Sequence, residues 1–444
     1  MGLQDTVSGE RLHIGFFGMR NAGKSSLVNS IIGQQLSVVS AIKGTTTDPV
    51  KKVMELLPLG PVVIIDTPGL DDEGHLGELR IEKTRQILGQ TDIAVLVVDA
   101  SLGLREQDKE LIRTFAERKI PYIIVYNKVD LVKEHVNAAE NTDLVIEHVG
   151  VTGNVNTATE RSTASTNVIF VSTITGEGIQ EIKDRLGSFA KDKHHSKLLV
   201  ADMIEPGDVV VLVTPIDESA PKGRLILPQQ LTIRDILDKH GIVVTCQDTE
   251  LERILSNLKK KPKMVITDSQ VFEKVSRNVP EDVPLTSFSI LMARYKGDLI
   301  ELVKGAAALS RLQAGDKVLI SEGCTHHRQC NDIGTVKMPN WIKEFTGIKE
   351  SNSSDNGEYA DSNLQFSFTS GGEFPDDLSQ YSVIVHCGGC ILNETEMKHR
   401  INKAVSAGVP IVNYGIAIAH MHGILKRSVK LFQDVYAILE NKRG

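Results

Sequence analysis

Gly18-Met19-Arg20-Asn21-Ala22-Gly23-Lys24-Ser25 decides how this chain is read. It follows an apolar run at residues 14–17 and opens a helical pattern through Ser26, Leu27, Val28, Asn29, Ser30, Ile31 and Ile32. A strand, a G-x-x-x-x-G-K-S loop and a helix together wrap backbone N–H groups around a phosphate at a helix N-terminus. Gly18, Asn21, Ala22, Gly23, Lys24, Ser25 and Ser26 are therefore candidate phosphate-site residues. Lys24 is expected to reach the outer phosphates, and the Ser25 hydroxyl to ligate magnesium.

Three later segments extend the site. The apolar run 62–65 leads into Asp66-Thr67-Pro68-Gly69, where a carboxylate at a strand end can hold the magnesium shell and the Gly69 N–H can approach a γ-phosphate. Lys24, Asp66 and Gly69 are accordingly candidate catalytic residues acting on a nucleoside triphosphate. Asn127-Lys128-Val129-Asp130 follows a third run, and the Asp130 carboxylate can accept two N–H bonds from a guanine edge that adenine does not offer. Ser172 and Thr173, after the run 168–171, would supply a backbone contact to the base. Any one of these could be a plain turn; four in this order are poorly explained by chance.

The set resembles the translation-factor-like branch of P-loop GTPases over residues 11–190. That resemblance implies GTP hydrolysis to GDP and phosphate, with the first switch at Gly44-Thr45-Thr46-Thr47-Asp48 and Thr46 as a catalytic ligand of magnesium and γ-phosphate. Leu70 stands where Ras-like enzymes carry the glutamine that orients the attacking water. Asn21 occupies the P-loop position at which potassium-activated GTPases, similar to the MnmE group, bind K+. Slow intrinsic hydrolysis accelerated by potassium is the expectation.

The chain has 444 residues, with 41% hydrophobic and 24% charged residues. That is past the roughly 250–300 residues at which one core stops growing, so several domains are expected. A net charge of −7 argues against a protein whose main work is gripping nucleic acid. No apolar stretch is long enough to span a bilayer and residues 1–11 lack a signal-peptide core, so no membrane partner and a cytoplasmic location are expected.

Strand-length runs alternate with helix-like segments throughout, predicting an α/β fold. A P-loop GTPase domain is expected over 1–190, with a polar insertion at 141–166 and a linker at 191–196. A small α/β middle domain is expected over 197–262, with strands at 209–214, 225–227 and 242–245 and a helix at 231–240. Its short length favours pairing with a second copy, giving a homodimer. A C-terminal α/β metal-cluster domain is expected over 263–444, with strands at 264–267, 318–320, 383–385 and 411–412, helices over 289–303 and from 394, and a polar run at 351–363.

Four of the five cysteines lie in the last third. Cys324-Thr325-His326-His327 follows one strand and His386-Cys387-Gly388-Gly389-Cys390 follows another. If those strands are parallel neighbours, both ligand groups share one sheet edge. Cys324, Cys387 and Cys390 could close a zinc site with a histidine, or hold an iron–sulfur cluster whose fourth ligand is His326, His386 or exchangeable; spacing does not choose. Cys330 reads as a nearby thiol. His420 and His422, two apart on a helix, face different sides and should not share a metal. Lys398-His399-Arg400 and Lys426-Arg427 read as solvated helix faces.

A P-loop GTPase domain, a small middle domain, then C-x-H and H-C-x-x-C resembles the HydF maturation GTPases of FeFe-hydrogenase over nearly the whole chain. The resemblance implies a 4Fe-4S cluster on Cys324, Cys387 and Cys390, dimerisation through the middle domain, and a diiron precursor cargo. It implies radical-SAM maturases and apo FeFe-hydrogenase as partners. Two departures are the 59 residues between His326 and His386 and the extra Cys330. Competing readings are a zinc-bearing GTPase of tRNA modification or ribosome assembly and, last, a GTP-regulated redox enzyme.

Overall fold

A computed structural model of the chain describes residues 8–33, 41–42, 50–56, 59–67, 84, 86–135, 167–194, 199–216, 225–323, 332–348 and 363–441. It divides into two compact units, Met1–Ser196 and Lys197–Gly444. The insertion expected at 141–166, the first switch at 44–48, and most of the polar run at 351–363 lie outside the described residues.

The first unit is built on a seven-stranded sheet. Its strands are β1 (Leu12–Phe17), β2 (Ala41–Ile42), β3 (Val50–Leu56), β4 (Gly60–Asp66), β5 (Ile93–Asp99), β6 (Tyr122–Asn127) and β7 (Val168–Phe170), in the order β2-β3-β4-β1-β5-β6-β7. β1, β4, β5, β6 and β7 run parallel, whereas β2 and β3 are antiparallel additions at one edge. Central β5 is buried from Ile93 to Val98, as a strand covered on both faces must be. Helices α1 (Lys24–Ile32), α2 (Glu106–Glu117), α3 (Val129–His135) and α4 (Ile179–His194) cover the sheet. On one face Leu27, Val28 and Ile31 of α1 join Ile182 and Leu186 of α4 over Ile14, Val95 and Val97. On the other, Leu111 and Phe115 of α2 cover Phe17, Leu96 and Val98. Each fully buried Leu, Ile or Val contributes about 1.5–3 kcal/mol. The linker expected at 191–196 begins inside α4.

The second unit holds two four-stranded, wholly parallel sheets. One orders β8 (Val209–Val213), β9 (Ile242–Cys246), β10 (Met264–Thr267) and β11 (Leu285–Ser287) as β11-β10-β8-β9. The other orders β12 (Lys317–Ser321), β13 (Gln365–Thr369), β14 (Val383–His386) and β15 (Ile411–Asn413) as β13-β12-β14-β15. A boundary at 262 would fall inside the first of these sheets, because β10 pairs with β8 from Met264 to Thr267. One continuous core takes in both sheets, including Val211, Ile266, Leu319 and Ile384.

Two local expectations are corrected. Residues 225–227 do not form a strand but lead into α5 (Leu227–Asp238). Pro228 suits a first helical turn, and the Ile226 N–H donates to Gln229 Oε1 at 3.1 Å. The single helix expected over 289–303 is two, α6 (Phe288–Lys296) and α7 (Leu299–Leu309), broken at Gly297. Asp298 caps α7 by accepting from the Glu301 N–H at 3.1 Å. Beyond β14 lie α8 (Glu394–Ser406), after the cap Asn393, and α9 (Tyr414–Met421), after the cap Asn413. Each such cap contributes about 1 kcal/mol.

Candidate functional site

In the first unit, the carboxyl ends of β1, β4, β5 and β6 gather the expected residues at one sheet edge. Gly18, φ 134°, turns the chain off β1 so closely that a Cβ there would lie 2.2 Å from the Val97 carbonyl oxygen. Gly23 caps α1 in the left-handed region at φ 91°, and a Cβ on it would lie 2.2 Å from Asn127 Nδ2. Asn21 also has a left-handed backbone, φ 61°. Lys24 is buried, and its Nζ donates to the Gly18 and Met19 carbonyls at 2.8 Å each, so the ammonium lies along the loop. Asn127 Nδ2 donates to the Ala22 carbonyl at 3.0 Å, tying β6 to the loop.

The magnesium half of the site is equally local. Thr67 donates from N and Oγ1 to the Phe16 carbonyl, fixing the end of β4 beside β1. The Ser25 hydroxyl consequently reaches Asp66 Oδ2 at 2.6 Å. Asp66 Oδ1 is buried with no hydrogen-bond partner. A buried carboxylate oxygen without a donor is costly unless a cation or a bound water completes it, so Ser25 and Asp66 fit a hydrated Mg2+. Thr46 and Gly69, the remaining candidates, lie outside the described residues.

On the base side, Asp130 Oδ1 is likewise buried and unpartnered, at the first turn of α3. That is the state expected of an acceptor held for a nucleobase N–H. Lys128, left-handed at φ 66°, donates from Nζ to Asp99 Oδ2 at 2.6 Å. Burial pushes the Asp99 carboxyl up, but hydrogen bonds from Lys128 and Ser101 outweigh it and leave the pKa lowered. Asp99 is a residue the sequence reading missed; its place at the end of β5, level with Asn127, was the available signal. Ser172 is fully buried and its Oγ accepts from the Ile174 and Thr175 N–H groups, shaping the loop that carries Thr173.

In the second unit β12 and β14 are parallel neighbours, with Ser321 paired to His386. Their carboxyl ends therefore lie side by side. The Gly323 N–H donates to Cys387 Sγ at 3.0 Å, and Gly389 donates to the same sulfur at 3.4 Å. Two N–H donors on one sulfur favour a thiolate. Gly323 immediately precedes Cys324, so the chain enters its first cysteine segment in contact with Cys387; Cys324, His326 and Cys330 themselves lie outside the described residues. Cys390 is half-buried, and burial raises its thiol pKa. Lys296, 3% exposed, donates to the Leu392 carbonyl at 3.1 Å. These sulfurs with their amide donors fit a thiolate-held metal group. Among the described residues no cluster of three or more His, Cys, Asp or Glu could hold a metal ion.

His386 is fully buried with both nitrogens engaged. Nδ1 lies 2.7 Å from the Cys387 carbonyl oxygen and Nε2 lies 3.1 Å from Arg400 Nη1. Burial and then the Arg400 guanidinium push its pKa down to about 3, so the ring is neutral. Arg400, expected on a solvated helix face, is instead 1% exposed. The signal was present: Arg400 falls with Met397, Ile401 and Ala404 on the buried face of α8. Arg427 also leaves the solvated face, donating to the Ser276, Val279 and Pro280 carbonyls. His420 meets Ser310 Oγ at 2.8 Å and His422 meets Glu273 at 3.5 Å, so the two do not converge.

Comparison with known proteins covers both units. Residues 13–128 match the 50S ribosome-binding GTPase model, residues 199–297 the hydrogen maturase F dimerization domain, and residues 300–431 the hydrogen maturase F tetramerization domain. The tRNA modification GTPase MnmE of Desulforamulus reducens is 36% identical over 124 residues, 28% of this chain and 26% of that protein. GTPase Der of Kosmotoga olearia is 37% identical over 130 residues, 28% of this chain and 29% of that one. The chain thus spans between about a quarter and a third of these relatives. Among solved structures, the G domain of the T. maritima FeoB iron transporter is 22% identical, with 41% of this chain and 99% of that one covered and a TM-score of 0.29. Aquifex aeolicus Era bound to GDP and AlF4− is 21% identical, with 57% and 91% covered and a TM-score of 0.31. Among the described residues no helix is long and apolar enough to cross a membrane.

Proposed function

The chain belongs to the hydrogen maturase F family, and from that premise we propose that it is the GTP-hydrolysing scaffold on which an FeFe-hydrogenase subcluster is held and passed on. Its N-terminal domain is a GTPase that binds GTP or GDP with Mg2+. Lys24 and the loop amides hold phosphate, Ser25, Asp66 and Thr46 serve the magnesium, Gly69 meets the γ-phosphate, and Asp130 selects guanine. Asn21 takes K+, so hydrolysis runs faster in KCl than in NaCl; equal rates would remove that assignment.

The C-terminal sheet carries a 4Fe-4S cluster on Cys324, Cys387 and Cys390. The observation that supports this most is the Gly323 N–H on Cys387 Sγ, which draws the two cysteine segments together. When bound, the cluster supplies an iron site at which a diiron precursor can be held. The precursor comes from radical-SAM maturases and goes to apo FeFe-hydrogenase. Dimerisation runs through the domain at 199–297 and larger assembly through that at 300–431.

The test is activation of apo-hydrogenase by protein co-produced with the two maturases, beside Cys387→Ser. Hydrogen evolution restored by the parent and lost in the variant supports the reading. Equal activation by both, or by neither, contradicts it.

A further inference from the structure

We propose that Arg400 is the positioning residue of the cysteine site, and that His386 is its connector to the Cys387 loop rather than an iron ligand. The inference rests in part on the cluster reading above, and its test separates the two.

Arg400 has one of the largest fully buried side chains of the described residues. Taking a guanidinium out of water costs several kcal/mol, which one carboxylate seldom repays. What the fork gains is reach. Nη2 donates to Glu396 Oε1 and to the Gly371 carbonyl, each at 2.6 Å. Nη1 faces His386 Nε2 at 3.1 Å and Ser321 Oγ at 3.4 Å. The Phe374 ring packs under the guanidinium, its centroid 5.3 Å from Cζ. One side chain thus joins the first turn of α8, the turn after β13, and the ends of β12 and β14. Those last two strand ends lead into Gly323 and Cys387.

The protons then have one arrangement. A guanidinium only donates, so His386 Nε2 is the acceptor; a carbonyl only accepts, so Nδ1 carries the hydrogen and donates to the Cys387 oxygen at 2.7 Å. Neither nitrogen has a lone pair left for iron. The path Glu396, Arg400, His386, Cys387 carbonyl sets the plane of the Cys387 peptide, and with it the Sγ that accepts from Gly323 and Gly389. Lysine would keep the charge beside Glu396 but has no planar fork to span these partners.

The experiment uses full-length Arg400→Lys and His386→Gln. In the metal-free proteins, amide hydrogen exchange at Gly323 and Gly389 is expected to quicken about tenfold or more in both variants, while amides of α8 and of β1, β5 and β6 keep parent rates. His386→Gln leaves the Glu396–Arg400 pair in place, so it carries this arm if Arg400→Lys fails to fold. Unchanged exchange at both glycines, or a uniform rise across α8 and β12, overturns the proposal. After anaerobic reconstitution with iron and sulfide, pulsed EPR of the reduced protein is expected to show the same nitrogen couplings in parent and His386→Gln. A strong imidazole coupling lost in His386→Gln would make His386 a ligand and overturn it also. A parent that takes up no cluster defeats the 4Fe-4S reading instead, and the metal-free exchange result still decides the role of Arg400.

Discussion

Asp130→Asn tests the base side of the nucleotide site with the least disturbance elsewhere. Asp130 Oδ1 is already buried and unpartnered, so the cost of drying that oxygen is part of the folded protein before any ligand arrives. A guanine edge then donates two N–H bonds to a carboxylate, each worth about 1.5–3 kcal/mol because the acceptor is charged. Asparagine keeps one carbonyl acceptor but turns an NH2 donor toward the second guanine N–H. Losing the second charged bond alone sets a lower bound of about 1.5 kcal/mol, or roughly tenfold in GDP affinity. Asp130 also sits in the first turn of α3, where losing its charge costs no more than about 1 kcal/mol of helix stability. The fold should therefore survive. Titration of nucleotide-free protein with a fluorescent GDP, beside xanthosine diphosphate, gives the readout. Weakened GDP binding with xanthosine diphosphate gaining, because its C2 carbonyl accepts from the new NH2, is the expected result. A GDP affinity within threefold of the parent would refute the assignment.

Other perturbations bear on the same architecture. Gly23→Ala forces a side chain into a φ of 91° with its Cβ 2.2 Å from Asn127 Nδ2; it should cost about 1–3 kcal/mol of stability and weaken GDP binding at least about tenfold, read by thermal melting with and without nucleotide. Asp235 Oδ2 accepts from the Leu199, Val200 and Ala201 N–H groups, so Asp235→Ala should destabilise the second unit by about 2–4 kcal/mol in urea; a loss under about 0.5 kcal/mol would contradict this anchor. The hydrogen bond and charge of Arg294 lower the Asp202 carboxyl, burial opposing. A lowered folded pKa means the contribution is full above the unfolded value and lost as pH falls through the folded one, so Asp202→Asn should lower the urea midpoint more near pH 6 than at a pH below the ordinary carboxylate range. An equal penalty at both would argue against the ion pair. Because both partners are partly exposed, the effect is small.

Phosphate, magnesium and guanine chemistry was legible because it is written in contiguous residues just past apolar strands. Lys24, Ser25, Asp66, Asn127 and Asp130 need no distant partner to be recognised, and the sheet gathers them at one edge. Strand β3 was not legible: Lys51 and Lys52 interrupt its alternation, and antiparallel pairing to β4 depends on register rather than composition. The sheet that begins at Val209 continues past the boundary expected at 262, because Met264–Thr267 pairs with Val210–Val213, a register that apolar runs alone do not reveal. The strand expected at 225–227 failed because the helix-start chemistry of Pro228 and Gln229 prevailed over a short apolar run. Arg400 was hidden by residue type. Its position on the apolar face of α8 argued for burial, and the charge argued against it until Glu396, Gly371, Ser321 and His386 supplied partners.

The most direct measurement of the central claim is iron and acid-labile sulfide content after anaerobic reconstitution, followed by low-temperature EPR of the reduced protein, beside Cys387→Ser. The account predicts about four irons and four sulfides per chain, with a 4Fe-4S signal that the variant loses. Stoichiometric zinc with no cluster signal in the parent would contradict it.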